Sequence, residues 1–499
     1  MVKYRGKNQV MWDAWFLPVG DEVHAFHLQM PVQDPEHPAE ITWNVGHIRT
    51  RDLLHWEACP DILPPLGDAN EQDYGCKFTG CAYTAPDGEH LVYYTMRDKA
   101  KGNQRIGVAR SRDLVTFEPD AGNPVLEPDP ALCVSYENFD RYDWDIVDCR
   151  DLVVVRDPDS GLYYGYVAVA ADVGREHPVG AVIVAESRDL LHWEKQSIAY
   201  VPQQNGVIEV PDVFEMDGKW YLTMLSGANY AGRSICRDDY VVNCTIYAVA
   251  DHPRGPFLEA ADNPFIGGIV NSGFTCRTVC FGGKRYLYYV DRAAGGETLS
   301  LPKEVRACGG RLRPYYAPIL EKLRVRDLLA EGMPEPCLEK NSFAWHTYGG
   351  RYVRSGEGYT GRTEAWDYQN AFLPVAARSL ELRAEVAVEA AGAGFAVQVR
   401  DEAGGVTQTL VFSIEPDKGR ILLLQCPSFT YVAGREFPFQ RGKAYGVRLL
   451  LLEGVCEVYI DDELLLQCGV ETGASLRPGF FCDRGGVEIR NLEAYELEH

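Results

Sequence analysis

The sequence predicts an all-β protein in which a β-propeller is followed by a β-sandwich. A seven-residue motif recurs in the first half of the chain at the spacing expected of large propeller blades. Strand-like runs of β-branched and aromatic residues, bounded by Gly, Asp and Pro turns, lie between its copies. The last third of the chain changes to short alternating runs joined by hairpin signals, which is typical of two packed antiparallel sheets.

The recurring motif has the character of a turn that follows a strand. It reads Thr-Arg-Asp-Leu-Leu-His-Trp at residues 50–56, Ser-Arg-Asp-Leu-Val-Thr-Phe at 111–117 and Ser-Arg-Asp-Leu-Leu-His-Trp at 187–193. A fainter fourth copy covers residues 247–257. We interpret its Asp as a cap of the turn and its Leu and Trp as packing residues between blades. The motif therefore informs the fold and not the chemistry.

Changes in composition divide the chain into parts. Residues 1–322 are the predicted propeller, residues 323–341 a linker and residues 342–496 the predicted sandwich. The linker contains one predicted helix at 325–331, which a glycine and two prolines follow. We interpret Leu-Glu-His at 497–499 as the remnant of an affinity tag.

The charge balance argues against nucleic acid and membrane surfaces as partners. The chain has 49 Lys and Arg against 72 Asp and Glu, a net charge of −23, whereas both partners require positive patches. No run approaches the ~18 apolar residues of a membrane span, and the polar N-terminus lacks the apolar run of a signal peptide. The 15 cysteines contain no C-x-x-C pair, which favours free thiols in a reducing compartment. We therefore expect a cytoplasmic protein with no metal ion and no cofactor.

Two clusters of metal-ligand residue types favour structural interpretations. Asp143, Asp145 and Asp148 lack the Gly and Glu of an EF-hand loop and are predicted to cap turns. Three histidines of the first repeat have no H-x-x-x-H spacing for zinc, so we expect structural roles, with one of them open as a substrate contact. These are His24, His27 and His47.

Three further carboxylates stand out because each lies in an apolar or aromatic run. Asp13 has Trp on its N-terminal side and Ala-Trp-Phe after it, Asp151 precedes an apolar strand, and Glu209 lies between Ile and Val. A carboxylate in such surroundings is either hydrogen-bonded structurally or retained for acid–base chemistry. One alone favours the structural interpretation, but three on successive blades can converge on one channel. Glycoside hydrolysis needs such a set of carboxylates.

Eight segments, in order along the chain, resemble motifs of glycoside hydrolase family 32, the β-fructofuranosidases such as invertases, inulinases and levanases. Three of them contain the carboxylates, because the family's W-M-N-D-P-N-G, R-D-P and E-C-P motifs match the segments around Asp13, Asp151 and Glu209. The other five segments are residues 27–31, 45–56, 78–81, 301–305 and 455–460.

The resemblance implies a five-bladed propeller before the sandwich and a retaining mechanism through a covalent glycosyl-enzyme. It assigns Asp13 as the nucleophile, Glu209 as the general acid and base, and Asp151 as the stabiliser of the transition state. It implies a small oligosaccharide as the substrate, and homo-oligomerisation stays open. It also indicates a set of substrate-binding residues. These are Trp12, Trp15, Gln29, Phe78, Thr79 and Arg150.

The first motif departs from the family on both sides of the nucleophile. Trp12 stands where the family has a sugar-binding Asn, and Ala14 and Trp15 stand where it has Pro and Asn. These changes surround the sugar pocket, so we expect a divergent member with an altered preference for the glycone. The rings of Trp12, Trp15 and Phe78 fit stacking on sugars and ordinary blade packing equally well.

Two other functions stay open at this point. The related five-bladed arabinofuranosidases and xylosidases invert, with Asp13 as a base that holds a water and carboxylates ~6.5–9.5 Å apart instead of ~5–5.5 Å. A non-catalytic sugar-binding protein is the alternative outside the enzymes, and the presence of all three carboxylates argues against it. Transglycosylation is a variant of the retaining mechanism that the sequence does not exclude.

Overall fold

Antiparallel β-strands make up most of the chain that the structure describes. The computed structural model describes residues 3–7, 9–31, 43–63, 77–97, 103–135, 147–203, 206–226, 244–267, 274–293, 296–336, 351–355, 358–362, 368–428 and 430–499. The helices in these ranges are short 3-10 turns at Pro318–Leu323, Leu328–Glu331 and Pro416–Lys418. None of the described helices is long and apolar enough to cross a membrane.

Five groups of antiparallel strands form the blades of a β-propeller, as predicted; four are separate sheets, and the fifth is continuous with a sheet of the C-terminal part. Blade 1 contains β1 (Gln9–Val19), β2 (Glu22–Pro31), β3 (Asn44–Thr50) and β4 (Glu57–Ala58). Blade 2 contains β5 (Phe78–Thr84), β6 (His90–Arg97), β7 (Gln104–Ser111) and β8 (Glu118–Pro119). Blade 3 contains β9 (Cys149–Arg156), β10 (Tyr163–Ala171), β11 (Val179–Ser187) and β12 (Trp193–Tyr200). Blade 4 contains β13 (Ile208–Met216), β14 (Lys219–Ser226), β15 (Cys244–Ala250), β16 (Leu258–Glu259) and β17 (Ile266–Gly267). Blade 5 contains β18 (Phe274–Phe281), β19 (Lys284–Ala293), β20 (Gly296–Leu299), β21 (Lys303–Cys308) and β22 (Arg311–Tyr316).

The first strands of the five blades form the inner ring of the propeller. Strand β1 contacts β5, β5 contacts β9, β9 contacts β13, and β13 contacts β18. Strand β18 contacts β1 in turn, so the ring closes between the last blade and the first. Side chains at corresponding positions of these five strands therefore surround one channel.

Each inner strand carries a register shift at a corresponding point. The pairing slips between Met11 and Ala14 in β1, between Phe78 and Cys81 in β5, opposite Tyr166 and Ala168 in β9, between Glu209 and Asp212 in β13, and between Phe274 and Arg277 in β18. Three residues at these bulges have positive φ, namely Asp151 (63°), Val210 (50°) and Thr275 (57°). A β-bulge re-aims the side chains beside it and is common next to active sites. The bulges thus explain how strand residues come to face the channel.

The recurring turn is capped as the sequence indicates. Asp52, Asp113 and Asp189 each accept hydrogen bonds from the backbone N–H groups two and three residues further on. The leucine after each Asp has positive φ, and Leu53 and Leu190 are buried. The interpretation of this motif as a capped packing turn is confirmed.

The C-terminal part is a β-sandwich of two antiparallel sheets. One sheet contains β23 (Arg324–Asp327), β25 (Arg351–Ser355), β26 (Gly358–Arg362), β28 (Leu380–Val388), β33 (Ala444–Leu452), β34 (Val455–Ile460), β35 (Glu463–Gly469) and β37 (Gly486–Leu497). The other contains β24 (Glu335–Pro336), β27 (Tyr368–Phe372), β29 (Gly392–Arg400), β30 (Val406–Glu415), β31 (Arg420–Cys426), β32 (Thr430–Glu436) and β36 (Ser475–Asp483). Their facing sides share one apolar core, in which Leu382 and Leu449 meet Phe395 and Phe412.

Part of the predicted linker is paired into this sandwich. Strand β23 lies along β37, with Arg324 opposite Leu497 and Asp327 opposite Tyr495. The predicted helix at 325–331 is therefore wrong in its first half, and its second half is a single 3-10 turn that the Asp327 side chain caps. An isolated helix of seven residues is unstable in water, whereas an edge strand obtains its hydrogen bonds from the sheet.

A buried ion pair joins the last blade to the sandwich. Lys303 on β21 contacts Glu457 on β34, and the two side chains are 0% and 3% exposed. Tyr289 and Tyr459 donate their hydroxyl protons to the same carboxylate, at 3.2 and 2.5 Å. The two residues lie in segments 301–305 and 455–460 of the family resemblance, so those segments meet at the contact between the propeller and the sandwich.

Candidate active site

The three candidate carboxylates lie at the bulges of three inner strands. Asp13 is on β1, Asp151 on β9 and Glu209 on β13, in blades 1, 3 and 4. The negative charge of Glu209 acts on Asp13, and the charges of Asp13 and Glu209 both act on Asp151. The structure therefore brings together the three acids that the sequence singled out.

Asp13 is buried, and its two carboxylate oxygens have different surroundings. Asp13 is 6% exposed, and Thr79 on β5 donates a 2.6 Å hydrogen bond to its Oδ2. Oδ1 has no hydrogen-bond partner among the described residues. Burial and then the charge of Glu209 raise the pKa of Asp13 to about 6, against hydrogen bonds from Thr79 and Thr275 and the charge of Arg277.

Asp151 is held by its backbone as much as by its side chain. Its N–H donates to the hydroxyl of Thr95 at 3.0 Å, and the N–H of Val210 donates to its Oδ2 at 2.8 Å. Burial raises the pKa of Asp151 to about 7, the charges of Asp13 and Glu209 add to the rise, and the neighbouring Arg150 opposes it. A positive φ at a residue other than glycine is strained, and such strain is common at functional sites.

Glu209 differs from the two aspartates because it reaches solvent. Its side chain is 40% exposed, and Nη2 of Arg150 lies 3.3 Å from its Oε1. A carboxyl group that is open to solvent can exchange its proton between the steps of a reaction, which a general acid and base must do.

Arg150 lies among the carboxylates and is itself buried. Its side chain is 8% exposed and forms ion pairs with Asp148, with Asp151 at 3.6 Å and with Glu209 at 3.3 Å. Gln104 on blade 2 accepts a further hydrogen bond from it. The prediction that Asp148 caps a turn is wrong, because its buried carboxylate instead pairs with Arg150. Asp143 and Asp145 lie outside the described residues.

The other predicted sugar contacts, Gln29, Phe78 and Thr79, differ in their burial and in their partners. Gln29 is buried and donates to Asn44 Oδ1 at 3.0 Å, whereas Phe78 is partly buried with the guanidinium of Arg97 5.8 Å from its ring centre. Thr79 binds the nucleophile candidate as described above.

The two tryptophans beside Asp13 occupy different surroundings. Trp12 is partly buried, and its ring lies 6.4 Å from that of Trp43. Trp15 is 1% exposed in the apolar core with Phe26 and Tyr94, so it presents no open ring face. For Trp15 this placement corresponds to blade packing, one of the two alternatives that the sequence left open.

Several residues of the site were missed in the sequence. Thr95 bridges two blades, because its hydroxyl donates to the carbonyl of Thr79 and accepts from the N–H of Asp151. Arg277 donates to the carbonyl oxygens of Gly80 and Asp151. Both act through main-chain groups of other strands, and no sequence motif records such partners. For Arg277 the one available signal was a charged residue inside an otherwise uncharged strand-like run.

The histidines of the first blade have the structural character expected of them. His24 Nδ1 and His47 Nε2 lie 2.9 Å apart, and both rings are buried. Burial lowers the pKa of His27 to about 4 and that of His47 to about 3, so both are neutral at neutral pH. In the part of the chain that the structure describes, no group of three or more His, Cys, Asp or Glu is arranged to hold a metal ion.

Comparison with known proteins gives a consistent set of relatives. The family model described as "Glycosyl hydrolases family 32 N-terminal domain" matches residues 16–250, which include Asp151 and Glu209. A fructan 6-exohydrolase of Triticum aestivum is 30% identical over 38% of this chain and 30% of that protein. A levanase of Bacillus sp. (strain L7) is 23% identical over 91% of this chain and 48% of the levanase. The chain thus spans less than half the length of these two relatives.

Solved structures share the fold over nearly the whole chain. Fructan 1-exohydrolase IIa from Cichorium intybus aligns with a TM-score of 0.69 at 14% identity, over 100% of this chain and 97% of that one. A variant of the Bombyx mori family 32 beta-fructofuranosidase in complex with sucrose aligns with a TM-score of 0.68 at 18% identity, over 98% and 91% of the two chains. At such identities the likeness concerns the fold.

Proposed function

Because the chain belongs to glycoside hydrolase family 32, we propose that it is a retaining glycoside hydrolase for a fructosyl-containing or other furanosidic oligosaccharide. The observation that carries this proposal is the unequal placement of the carboxylates. Asp13 is buried, with one carboxylate oxygen bonded to Thr79 and the other without a hydrogen-bond partner among the described residues. Glu209 reaches solvent, and its charge raises the pKa of Asp13.

In the first step, Oδ1 of Asp13 attacks the anomeric carbon while Glu209 protonates the departing oxygen. The hydrogen bond from Thr79 to Oδ2 orients the carboxylate and leaves the other oxygen to form the bond. A glycosyl ester of Asp13 results, and the aglycone leaves with the proton of Glu209.

In the second step, Glu209 takes a proton from water, which attacks the same anomeric carbon and releases Asp13. Two displacements on one carbon retain its configuration. Asp151 binds ring hydroxyls and stabilises the positive charge that develops on the sugar ring, and Arg150 holds Asp151 and Glu209 in their relative positions.

We assign the sugar-facing surface to Trp12, Phe78, Gln29 and Arg150. Solved relatives include complexes with sucrose and with 1-kestose, and we propose a small oligosaccharide of this class as the substrate. We also propose a cytoplasmic location. Its support is the set of cysteines, which are free thiols in the described residues, and burial raises the pKa of Cys81 and Cys276 to about 12.

The stereochemistry of the first-formed product tests the mechanism. We would follow hydrolysis of sucrose, kestose, inulin, levan and aryl furanosides by NMR and record which anomer appears before mutarotation. Retention and a trapped glycosyl ester on Asp13 support the proposal. Inversion would assign Asp13 as a base, as in the related arabinofuranosidases and xylosidases. Sugar binding without release from any member of the panel would indicate a non-catalytic protein.

A further inference from the structure

Arg277 joins three blades beneath the carboxylates. It lies on β18, at the register shift of the fifth inner strand, and it is 2% exposed. Its Nη2 donates to the carbonyl oxygen of Gly80 on β5 at 3.2 Å and to that of Asp151 on β9 at 3.3 Å. One guanidinium group therefore connects the inner strands of blades 2, 3 and 5.

Both carbonyls belong to residues whose backbone position is critical. Asp151 has a φ of 63°, and its carboxylate is one of the three in the site. Gly80 packs so closely against the next strand that an added Cβ would lie 1.9 Å from the carbonyl oxygen of Tyr93. A bond that holds the Asp151 carbonyl restrains the backbone from which its side chain projects, and the N–H of Val210 then holds the carboxylate itself.

The charge of Arg277 also acts on the nucleophile candidate, after stronger influences from burial, Thr79, Glu209 and Thr275. A guanidinium group stays protonated at any pH at which a protein is folded. Among the described residues, its hydrogen-bond acceptors are main-chain carbonyls, so no contacting carboxylate neutralises it. The charge opposes the rise in the pKa of Asp13 that burial and Glu209 cause.

We propose that Arg277 is a positioning residue of the reaction, which fixes Asp151 through its backbone and places its positive charge within the carboxylate cluster. The proposal rests on the function proposed above for these two aspartates. Arg277 acts on both of them through space or through the main chain and forms no bond to the sugar.

Three substitutions separate the two effects. Arg277→Lys keeps the charge, but its shorter side chain carries a compact ammonium in place of the planar guanidinium whose Nη2 donates to both carbonyls. Arg277→Met keeps the length and removes the charge, and Arg277→Gln removes the charge but keeps an N–H donor. Arg285→Met is the matched control, since Arg285 lies on the adjacent strand against Phe214 and Thr278, outside the carboxylate cluster.

The readout is the pH dependence of kcat/KM, with kcat measured on the plateau. We expect the acidic limb of Arg277→Met and of Arg277→Gln to move to higher pH, and the limb of Arg277→Lys to stay at the wild-type position. In Arg277→Lys we expect kcat to fall by about tenfold or more, because a small misplacement of a reacting group is costly. Circular dichroism and the thermal midpoint identify the variants that fold. If Arg277→Met does not fold, Arg277→Gln serves as the uncharged variant.

A titration without substrate makes the outcomes distinguishable. The infrared band of the protonated Asp13 carboxyl is identified by its absence from Asp13→Asn. This band should titrate at higher pH in Arg277→Met than in the wild type. If this band shifts although the wild type releases no sugar, the proposed function fails and the electrostatic role of Arg277 stands. If neither the infrared band nor the acidic limb of kcat/KM shifts in Arg277→Met, the electrostatic role is overturned. If Arg277→Lys has the kcat of the wild type, the positioning role is overturned.

Discussion

The hydrogen bond from Thr79 to Asp13 lowers the pKa of the proposed nucleophile and so opposes the effect of burial. The bond is 2.6 Å long and lies in a site where Thr79 is 1% exposed. Thr79→Val is nearly isosteric and removes the hydroxyl while it keeps the methyl packing. Without the bond, the carboxylate form of Asp13 loses its closest donor and the pKa of Asp13 rises.

The size of the effect follows from the strength of the bond. A hydrogen bond to a charged group contributes about 1.5–3 kcal/mol, and ~1.4 kcal/mol corresponds to one pH unit. The acidic limb of kcat/KM should therefore move upward by about 1 to 2 pH units. In the wild type, the pKa of Asp13 is raised to about 6 and that of Asp151 to about 7, so the limb reports the coupled pair.

The assay compares pH–rate profiles of kcat/KM for the wild type, Thr79→Val and Thr79→Ser. Thr79→Ser retains the hydroxyl and should retain the wild-type limb, which separates the loss of the hydroxyl from the effect of changing the side chain at this position. The comparison is between variants, so the contribution of Asp151 is common to all three profiles. A limb in Thr79→Val that coincides with that of the wild type, in a folded enzyme, would refute the role of this bond.

Four other changes test separate parts of the site and fold. Asp13→Asn should lower kcat by several orders of magnitude with an unchanged circular dichroism spectrum, and substantial turnover in a clean preparation would contradict its assignment. Glu209→Gln should slow sugars with poor leaving groups far more than activated aryl furanosides, and equal losses on both would exclude it as the acid. The wild type should hydrolyse sucrose with kcat/KM below about 10⁴ M⁻¹s⁻¹, and Trp12→Asn should change the order of kcat/KM values across a panel of sugars. A kcat/KM on sucrose above this value, together with an unchanged order, would show that Trp12 does not set specificity. Lys303→Met leaves Glu457 buried without its ion-pair partner and should lower the free energy of unfolding by about 3–5 kcal/mol in denaturant titrations, whereas a loss below about 1 kcal/mol would mean that the pair contributes little.

The sequence predicted the carboxylates because chemistry restricts them to a few residue types in short motifs. Asp13, Asp151 and Glu209 each lie in an apolar run, and an acid in such a run is conspicuous. The fold class was predictable from the recurring turn, whose Asp caps are local interactions within a few residues. Local patterns of this kind are recorded in a single stretch of sequence.

What the sequence could not predict depends on contacts between blades. Trp12 and Trp15 are both aromatic and lie three positions apart, yet the bulge in β1 leaves one partly buried and places the other in the core. Arg277 and Thr95 bind main-chain groups of other blades, and a main-chain carbonyl or N–H group is the same whatever residue carries it. Strand β23 was taken for a helix because its pairing partner, β37, is distant in the sequence.

The bonds around the carboxylates run from blade to blade. Thr79 of blade 2 holds Asp13 of blade 1, and Thr95 of blade 2 and Val210 of blade 4 hold Asp151 of blade 3. A carboxylate whose hydrogen-bond partners all lay in its own blade would keep its geometry if the ring opened. Asp13 and Asp151 would instead lose these partners as soon as neighbouring blades separated. Ring closure therefore maintains the geometry of the carboxylate cluster as well as the fold, and the buried pair of Lys303 and Glu457 joins the last blade of that ring to the sandwich.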